Sequence, residues 1–470
     1  MFRLRTIVAA VGVMLVLGGS LAPAFAAPAR EAVGSAAGID ATGATDVTAD
    51  LQALFDRTPD GGVVSLEAGA DYRVDGTLVV QERHNLTIEG NGARIFATTT
   101  GDRVRSHLRI VGGSGFDIRS LEIEGANPHA GLSDRAYVPE LEGQHGIRLE
   151  GVTDVELDRV RIHDTYGDHV LVGRHEGDRR WSEQVWIHDS TFARSGRQGI
   201  AVVAGRDIVI ERNSFTDMRR ATVDLEPTAR SWGAENVHIL DNEVGPGRLL
   251  FIAAAGSGPV NRVIVARNTL RGRILSVWVL AEEGARRRHV WVVDNTTDTP
   301  AANPLRFRRV DGVIVHGNRQ PLLATRALVE ATDSCDVAIT DNDIAPGTRT
   351  LEGGTRECNF ILPVKPPAPP PVAGRGQEQA PPPSPTTTTP PTTVAPSTTT
   401  PPTSPTTETP PSTPTSGPPS EVSGTDESLT AASRSADQGV AVPVVVVTTV
   451  LAALAGAGGA WAINARRRPR

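Results

Sequence analysis

Four short segments between residues 145 and 226 alternate apolar and polar residues, which is typical of β-strands with one buried face. With the apolar set inward, the polar side chains that face outward are Arg148, Glu150, His169, Asp224 and Glu226. Further polar side chains come just before the strands, at His145, Asp168, Arg197 and Gln198. Carboxylate, imidazole and guanidinium groups on one face predict a groove for an anionic sugar chain. An ordinary solvated strand exterior is the alternative.

The pair Asp224 and Glu226 has a spacing that suits acid and base chemistry. Residues two apart in a strand point to the same side, so the two carboxyl groups lie close together. Such a pair can bind a cation or act as general acid and base. Exposed carboxylates at the end of a strand are the alternative.

A repeated motif supplies the elements that must position these side chains. Alternating apolar residues are followed by a polar pair that ends in asparagine, at positions 213, 242, 268, 295, 318 and 342, with serine at 190. The steps between these positions run from 23 to 29 residues. Leucine-rich repeats share that length but need a Leu-x-x-Leu-x-Leu pattern that this sequence lacks, and helical repeats are longer. The repeat therefore predicts a β-solenoid.

The asparagines have a physical role in a solenoid, because each coil must turn sharply between strands. A side-chain amide can satisfy its own turn and the same turn one coil further on. The sequence therefore predicts a stacked, structural asparagine ladder from Asn213 to Asn342.

The N-terminal end of the repeat region resembles a known superfamily. Residues 38–55 end in a short amphipathic helix, and residues 61–66 follow as a strand. This looks like the capping helix and first coil of the pectate-lyase-like right-handed parallel β-helix superfamily. The resemblance covers about residues 38–345. It implies that the folded region, residues 34–360, is all-β, a right-handed parallel β-helix (solenoid) with an N-terminal capping helix.

The segment Thr165-Tyr-Gly-Asp-His169 is similar to the Tyr-Gly-Phe-Asp-Pro-His segment of mannuronan C5-epimerases, without the inserted Phe and Pro. That family removes the C5 proton of a uronate, which needs a base, an acid on the opposite face and a cation beside the carboxylate. The resemblance implies His169 as the base, Tyr166 as the acid and Arg197 as the cation. Asp168 would orient the imidazole.

Motifs of two other families with this fold are incomplete. The segment from Val185 resembles the Val-Trp-Ile-Asp-His segment of pectate lyases, but its Asp-His order is inverted. Gln198 and Ala201 stand where that family has aspartates. The calcium ligands of that family are therefore missing. We expect no metal site and no cofactor, with calcium binding as the alternative. The aspartate set of polygalacturonases is also missing, which disfavours inverting hydrolysis.

Two cysteines, Cys335 and Cys358, lie one coil apart in sequence. Adjacent coils are separated by about 4.8 Å, which is within the Cα separation that a disulfide tolerates. An oxidising compartment outside the cell permits the bond. We therefore predict a disulfide that joins the last two coils and pins the C-terminal end, with two free thiols as the alternative.

The two ends of the chain have the compositions of targeting and anchoring segments. Residues 1–26 predict a signal peptide, with basic residues ahead of an apolar stretch and an Ala-Phe-Ala cleavage site. Residues 363–419 are almost wholly Pro, Thr and Ser, which predicts a disordered stalk, and residues 420–439 predict a juxtamembrane linker. The uncharged residues 440–463 predict one transmembrane helix, and the basic tail 464–470 predicts a cytoplasmic C-terminus.

These features predict a protein on the extracellular face of the cell membrane that binds polysaccharide or a cell-envelope glycan. A net charge of −7, with no basic run outside the tail, disfavours nucleic-acid binding. One hypothesis is a lyase or C5-epimerase of uronate-containing glycans. Another is a non-catalytic glycan-binding or adhesive module, and a spacer is a third. Convergence of Tyr166, His169 and Arg197 in space distinguishes the enzyme from the binding module.

Overall fold

The computed structural model describes residues 34–299, 305–321 and 327–372. They form a parallel β-solenoid of about 11 turns, with strands arranged on three faces. Neighbouring coils pair through parallel strands on every face. The predicted all-β parallel β-helix is therefore confirmed.

The three faces follow one another along each coil. The first face consists of strands Leu78–Gln81, Leu108–Val111, Ile147–Glu150, Val170–Gly173, Ile200–Val202, Val223–Leu225, Ile252–Ala254, Val277–Leu280 and Leu305–Arg308. The second face consists of strands Gly34–Ser35, Val63–Ser65, His84–Glu89, Ser114–Arg119, Thr153–Asp158, Ser182–His188, Gly205–Glu211, Ala234–Leu240, Val260–Ala266, Arg287–Val293 and Val310–His316. The third face consists of strands Thr42–Asp46, Asp71–Arg73, Arg94–Phe96, Glu122–Glu124, Arg161–Thr165, Thr191–Ser195, Ser214–Met218, Glu243–Val244, Thr269–Leu270, Thr296–Thr297, Arg319–Gln320 and Asp343–Ile344.

Two longer strands, Ala327–Thr340 and Arg349–Arg356, lie at the C-terminal end. The first of them pairs with strands of both the first and the second face. It therefore joins these two faces into one continuous sheet. A 3-10 turn at Pro139–Leu141 lies in the connection that leads to strand Ile147–Glu150.

Inward side chains from the three faces fill one continuous core. Val170, Ile200 and Val223 are in register on adjacent coils of the first face, and all three are fully buried. Stacking of identical positions lets each coil bury its apolar side chains against its neighbours, which a single coil could not do alone.

An α-helix, Thr48–Arg57, lies where the sequence predicts one. Its apolar side chains Leu51, Leu54 and Phe55 are buried in the same core as the strands. The helix therefore covers apolar surface at the N-terminal coils with a polar outer side, as its amphipathic pattern predicts.

The turn between the second and third faces holds the predicted asparagine ladder, which is confirmed. Asn242 Oδ1 accepts hydrogen bonds from the backbone N–H and the Nδ2 of Asn213, at 2.9 and 3.1 Å. The pattern continues to Asn342. The residue before each asparagine turns the chain, as Asp241 and Arg267 do with φ of 53° and 57°. The first residue of each polar pair therefore forms the turn, and the asparagine after it forms the ladder.

The C-terminal end is closed by a disulfide between Cys335 and Cys358, whose Cα atoms are 5.8 Å apart. Cys335 lies in strand Ala327–Thr340, and Cys358 follows strand Arg349–Arg356. The bond joins the last two coils, as the one-coil spacing of the cysteines predicts.

Residues 359–372, here called the strap, turn back along the outside of the second face. Val372 packs against Trp186 and Val209 and is 7% exposed. Residues 363–372 are the first ten residues of the predicted stalk, and they lie against the outside of the solenoid. The physical reason is an apolar stripe on the second face, which the composition of the proline-rich segment did not reveal.

Within the described residues, no helix is long and apolar enough to span a bilayer. The predicted signal peptide, the remainder of the predicted stalk and the predicted transmembrane helix lie outside the described residues.

Candidate functional site

A partly buried arginine at the edge of the first face, Arg197, organises the candidate site. Arg197 Nη1 donates to both carboxylate oxygens of Asp168, at 3.0 and 2.9 Å, and its Nη2 donates to Glu226. Burial alone would lower the pKa of Arg197, but Asp168, Glu226 and Asp224 outweigh burial and raise this pKa well above its ordinary value. We call Asp168, Arg197, Asp224 and Glu226 the Arg197 cluster.

The carboxyl group of Asp224 is the least compensated member of the Arg197 cluster. It lies on the outward side of strand Val223–Leu225 and is only 7% exposed. Burial, reinforced by the charge of Glu226, raises its pKa well above the ordinary value, although Arg197 opposes the shift. Asp224 therefore keeps its proton to a higher pH than an exposed aspartate does.

Asp168 is oriented by its neighbours on adjacent coils. Its backbone N–H donates to His145 Nδ1 at 3.1 Å, and its Oδ1 accepts the backbone N–H of Gln198 at 3.1 Å. Burial, followed by the charges of Arg148 and Arg197, lowers the pKa of His145 well below its ordinary value. His145 is therefore a neutral acceptor, and it takes the place beside Asp168 that the sequence assigned to His169.

The predicted base, His169, does not face outward, which corrects the sequence-based assignment. Its side chain is fully buried and stacks on Phe192, with ring centroids 5.9 Å apart. Within the described residues neither ring nitrogen has a hydrogen-bond partner of good geometry. Burial, with a further contribution from His163, lowers the pKa of His169 to about 3.

The position of His169 in the coil explains this orientation. It ends the turn from the third face, and the in-and-out alternation of the strand begins only at the next residue, Val170. Thr222 and Phe251 end the equivalent turns of other coils, and both are fully buried. The Pro that separates Asp from His in the epimerase motif is missing here, and a one-residue change moves a side chain to the other side of a strand.

Tyr166 is 8% exposed, and burial raises its pKa, which the charge of Arg105 partly opposes. In the part of the chain that the structure describes, no hydrogen bond or ion pair joins the side chains of Tyr166, His169 and Arg197. Among the described hydrogen bonds between side chains of the predicted catalytic residues, those of Arg197 go to Asp168.

The other predicted binding residues form two smaller groups. Gln198 Nε2 donates to Asp224 at 2.6 Å, which ties it to the Arg197 cluster. Glu150 is 2% exposed, because Arg109 and Arg148 both cover it with ion pairs. Glu150 is thus enclosed by arginines and is not an open ligand for substrate.

A connection that the sequence did not single out covers one side of the cluster. Tyr137 donates a hydrogen bond of 2.7 Å to Glu142, whose carboxylate lies 3.5 Å from Arg197 Nε. The guanidinium of Arg220 lies over the Tyr137 ring, 5.2 Å from its centre. The signal in the sequence was the long gap between the strand ending at Glu124 and the next strand of the first face.

Potential metal ligands gather elsewhere, in a group of Asp158, His188 and Asp189 on the second face. His188 Nδ1 lies 2.7 Å from Asp189, and its Nε2 lies 3.1 Å from Glu156. Burial lowers the pKa of His188, but Glu156 and Asp189 outweigh burial and raise it. Two carboxylates around one imidazole suit a protonated histidine, which needs no metal ion.

Concave surface is found away from the Arg197 cluster. One cavity of about 240 Å³ lies beside the α-helix, and another of about 330 Å³ lies along the asparagine turns. Neither is lined by a member of the cluster.

No protein-family model matches the chain, and no curated protein matches its sequence. The fold matches endo-xylogalacturonan hydrolase from Aspergillus tubingensis with a TM-score of 0.51 and 12% identity, over 66% of this chain and 92% of that chain. A surface protein and adhesin of Streptococcus pneumoniae matches with a TM-score of 0.49 and 12% identity, over 67% of this chain and 97% of that chain. The A-module of a mannuronan C-5 epimerase from Azotobacter vinelandii matches with a TM-score of 0.44 and 16% identity, over 68% of this chain and 96% of that chain. The chain has the pectate-lyase-like β-helix fold.

Proposed function

We propose that the protein is a glycan-binding surface protein that holds polysaccharide along its first face. The observation that carries the proposal is one column of outward side chains, in register from coil to coil. Arg109 and Arg148 stand at one end of the column, Asp224 in the middle, and Trp278 and Arg306 at the other end. At about 4.8 Å per coil the column spans on the order of 30 Å, the length of several sugar residues.

The chemistry of the column suits an anionic glycan. Arg109 and Arg306 each pair with one carboxylate, that of Glu150 and that of Glu330, but their side chains remain 37% and 24% exposed. Guanidinium groups recognise carboxylates in a bidentate manner. The Arg306 guanidinium lies 4.3 Å from the centre of the Trp278 ring, so cation and aromatic surface are presented together. Anchoring by the predicted transmembrane helix would display this face outside the cell.

Binding is favoured over epimerase or lyase chemistry because the predicted base is unusable. His169 is buried in the core, and Arg197 is already neutralised by Asp168 and Glu226. A uronate bound at the Arg197 cluster would therefore find neither the predicted histidine base for its C5 proton nor a free cation for its carboxylate.

The test is to titrate the purified ectodomain, residues 27–439, with uronate and neutral polysaccharides by calorimetry. Absorbance near 235 nm and NMR of the sugar follow turnover in the same samples. We expect binding of anionic chains that weakens with salt and leaves the glycan unchanged. Failure to bind any member of the panel would overturn the proposal.

A second candidate, an acid/base enzyme, is favoured by one observation. Asp224 has a raised pKa and shares a strand face with Glu226. Environments that move the pKa values of two neighbouring carboxyl groups apart are typical of catalytic pairs. In this candidate Asp224 donates a proton and Glu226 accepts one. Sugar products that disappear in both Asp224→Asn and Glu226→Gln would establish it in place of binding.

A further inference from the structure

The strap lies on an apolar stripe of the second face. The stripe consists of outward residues in register on successive coils, at Trp186, Val209, His238, Ile264, Trp291 and Ile314. Trp186, Val209, Ile264, Trp291 and Ile314 are each at most 4% exposed, because other groups cover the outside of the sheet.

Contacts of the strap run along this stripe from the C-terminal coils toward the middle. Phe360 lies 5.9 Å from the ring of His289, and Leu362 packs on the apolar cluster around Trp291. Trp291 Nε1 donates a hydrogen bond of 3.0 Å to the carbonyl oxygen of Pro363. Val372 then packs on Trp186.

The strap is long enough to follow this path. Trp291 and Trp186 are four coils apart, which is about 19 Å at about 4.8 Å per coil. The nine steps from Pro363 to Val372 span up to about 28 Å in a polyproline II conformation. Aromatic rings with a donor aimed at a proline carbonyl are the means by which polyproline segments are recognised.

We propose that this stripe is a docking groove for the chain's own proline-rich strap, so that the chain leaves the solenoid beside Trp186 and not at its C-terminal end. A pull on the residues after 372 then loads the groove first and the Cys335–Cys358 disulfide next. The last strand, Arg349–Arg356, lies between the two cysteines in sequence and is bypassed. This proposal does not rest on glycan binding.

Docking is tested with a dye on Lys365, which is exposed and is the only lysine in the chain. Fluorescence anisotropy in the ectodomain, residues 27–439, reports whether the strap is held. We expect high anisotropy that falls in Leu362→Ser and Trp291→Ala, with Trp278→Ala on the first face as the matched control. In Lys365→Arg the only lysine is removed, so any dye that still attaches reports labelling of the N-terminal amine.

Leu362→Ser changes only the strap, so a folding defect of the solenoid cannot explain its effect. A dye that is already mobile in the unchanged ectodomain, or that stays immobile in both groove variants, overturns the docking proposal.

The load path is tested by pulling single ectodomains from their two ends. The first event should release the strap, about 14 residues or up to about 50 Å of chain at full extension. In the double variant Cys335→Ser/Cys358→Ser the release should also include strand Arg349–Arg356, which lengthens the gain. Equal gains in the two proteins would show that the disulfide does not carry the load.

Discussion

Gln198 Nε2 donates a hydrogen bond of 2.6 Å to Asp224 Oδ2, across one coil. The other end of the same amide, Oε1, accepts the backbone N–H of Ala221 at 2.7 Å, which fixes its orientation. A carboxyl oxygen that accepts from an amide does not carry the acid proton. When Asp224 is protonated, its proton therefore resides on Oδ1, which is buried and has no hydrogen-bond partner among the described residues. Only an oxygen that reaches this buried atom would accept a hydrogen bond from the protonated acid.

Asp224→Asn should become more stabilising relative to the unchanged protein as pH rises. The folded-state pKa of Asp224 is raised above its ordinary value of 3.8. Its contribution to stability is therefore full below about pH 3.8 and is lost as pH rises toward the raised pKa. Urea unfolding at pH 4 and pH 8 measures the difference, and Glu176→Gln, an exposed carboxylate, should show no such trend. Equal effects at both pH values would contradict the assignment.

His169→Leu should retain the fold at pH 7 and gain about 1 kcal/mol, because it removes two buried nitrogens that lack partners. The folded-state pKa of about 3 lies below the ordinary value of 6.5. Stability is therefore lost as pH falls from about 6.5 toward 3, since only the unfolded chain takes up the proton. The leucine variant should lose less stability over this range in thermal unfolding. A variant that unfolds at pH 7 would refute the prediction.

Asn268→Ala should cost about 2 kcal/mol of unfolding free energy. The change removes the acceptor for the N–H of Asn242 and the donor to the carbonyl of Ile239, and it leaves both groups buried. Denaturant unfolding measures the loss. Asn91→Ala is the control, because Asn91 is an asparagine outside the ladder. A loss no larger than in the control would show that the ladder contributes little.

Removal of the disulfide by Cys335→Ser/Cys358→Ser should free strand Arg349–Arg356 and leave the middle coils intact. Closing a loop of this size is worth about 3 kcal/mol. Hydrogen exchange should accelerate in the last strand and remain slow at the Val170–Gly173 strand. Uniform acceleration along the chain would mean that the disulfide stabilises the whole solenoid.

Arg148→Gln should weaken binding of anionic glycan about tenfold, which corresponds to the loss of one charge-assisted contact. Arg109 still covers Glu150 in this variant, so no buried carboxylate is left unpaired. The affinity is measured by calorimetry at two salt concentrations. Arg212→Gln, at the asparagine turns, removes the same charge away from the first face and should bind normally.

Sequence periodicity was sufficient to predict the coil, because every copy of the repeat needs the same sharp turn after its strand. Asn213 and Asn242 mark the same sharp turn on adjacent coils, and Cys335 and Cys358 lie one coil apart. Such local regularities carry over to three dimensions, since stacked coils place equivalent residues together.

The orientation of His169 could not be predicted from alternation alone. The alternating pattern holds inside a strand, but the residue at the corner obeys the geometry of the turn, and one residue decides which side it faces. The long connection with Tyr137 and Glu142 and the path of the strap depend on contacts between distant segments, for which the chain has no repeat.

The ladder has a direction, because each Oδ1 accepts from the coil before it. It begins where Ser190 Oγ accepts the backbone N–H of Val160. Valine has no side-chain acceptor, so Val160 cannot accept the equivalent hydrogen bond from the preceding coil. Every coil from there on presents the same donor forward and the same acceptor backward. Whole coils are therefore interchangeable modules, and the solenoid can lengthen or shorten by complete turns over evolution, whereas a partial insertion breaks the chain of amides where it falls.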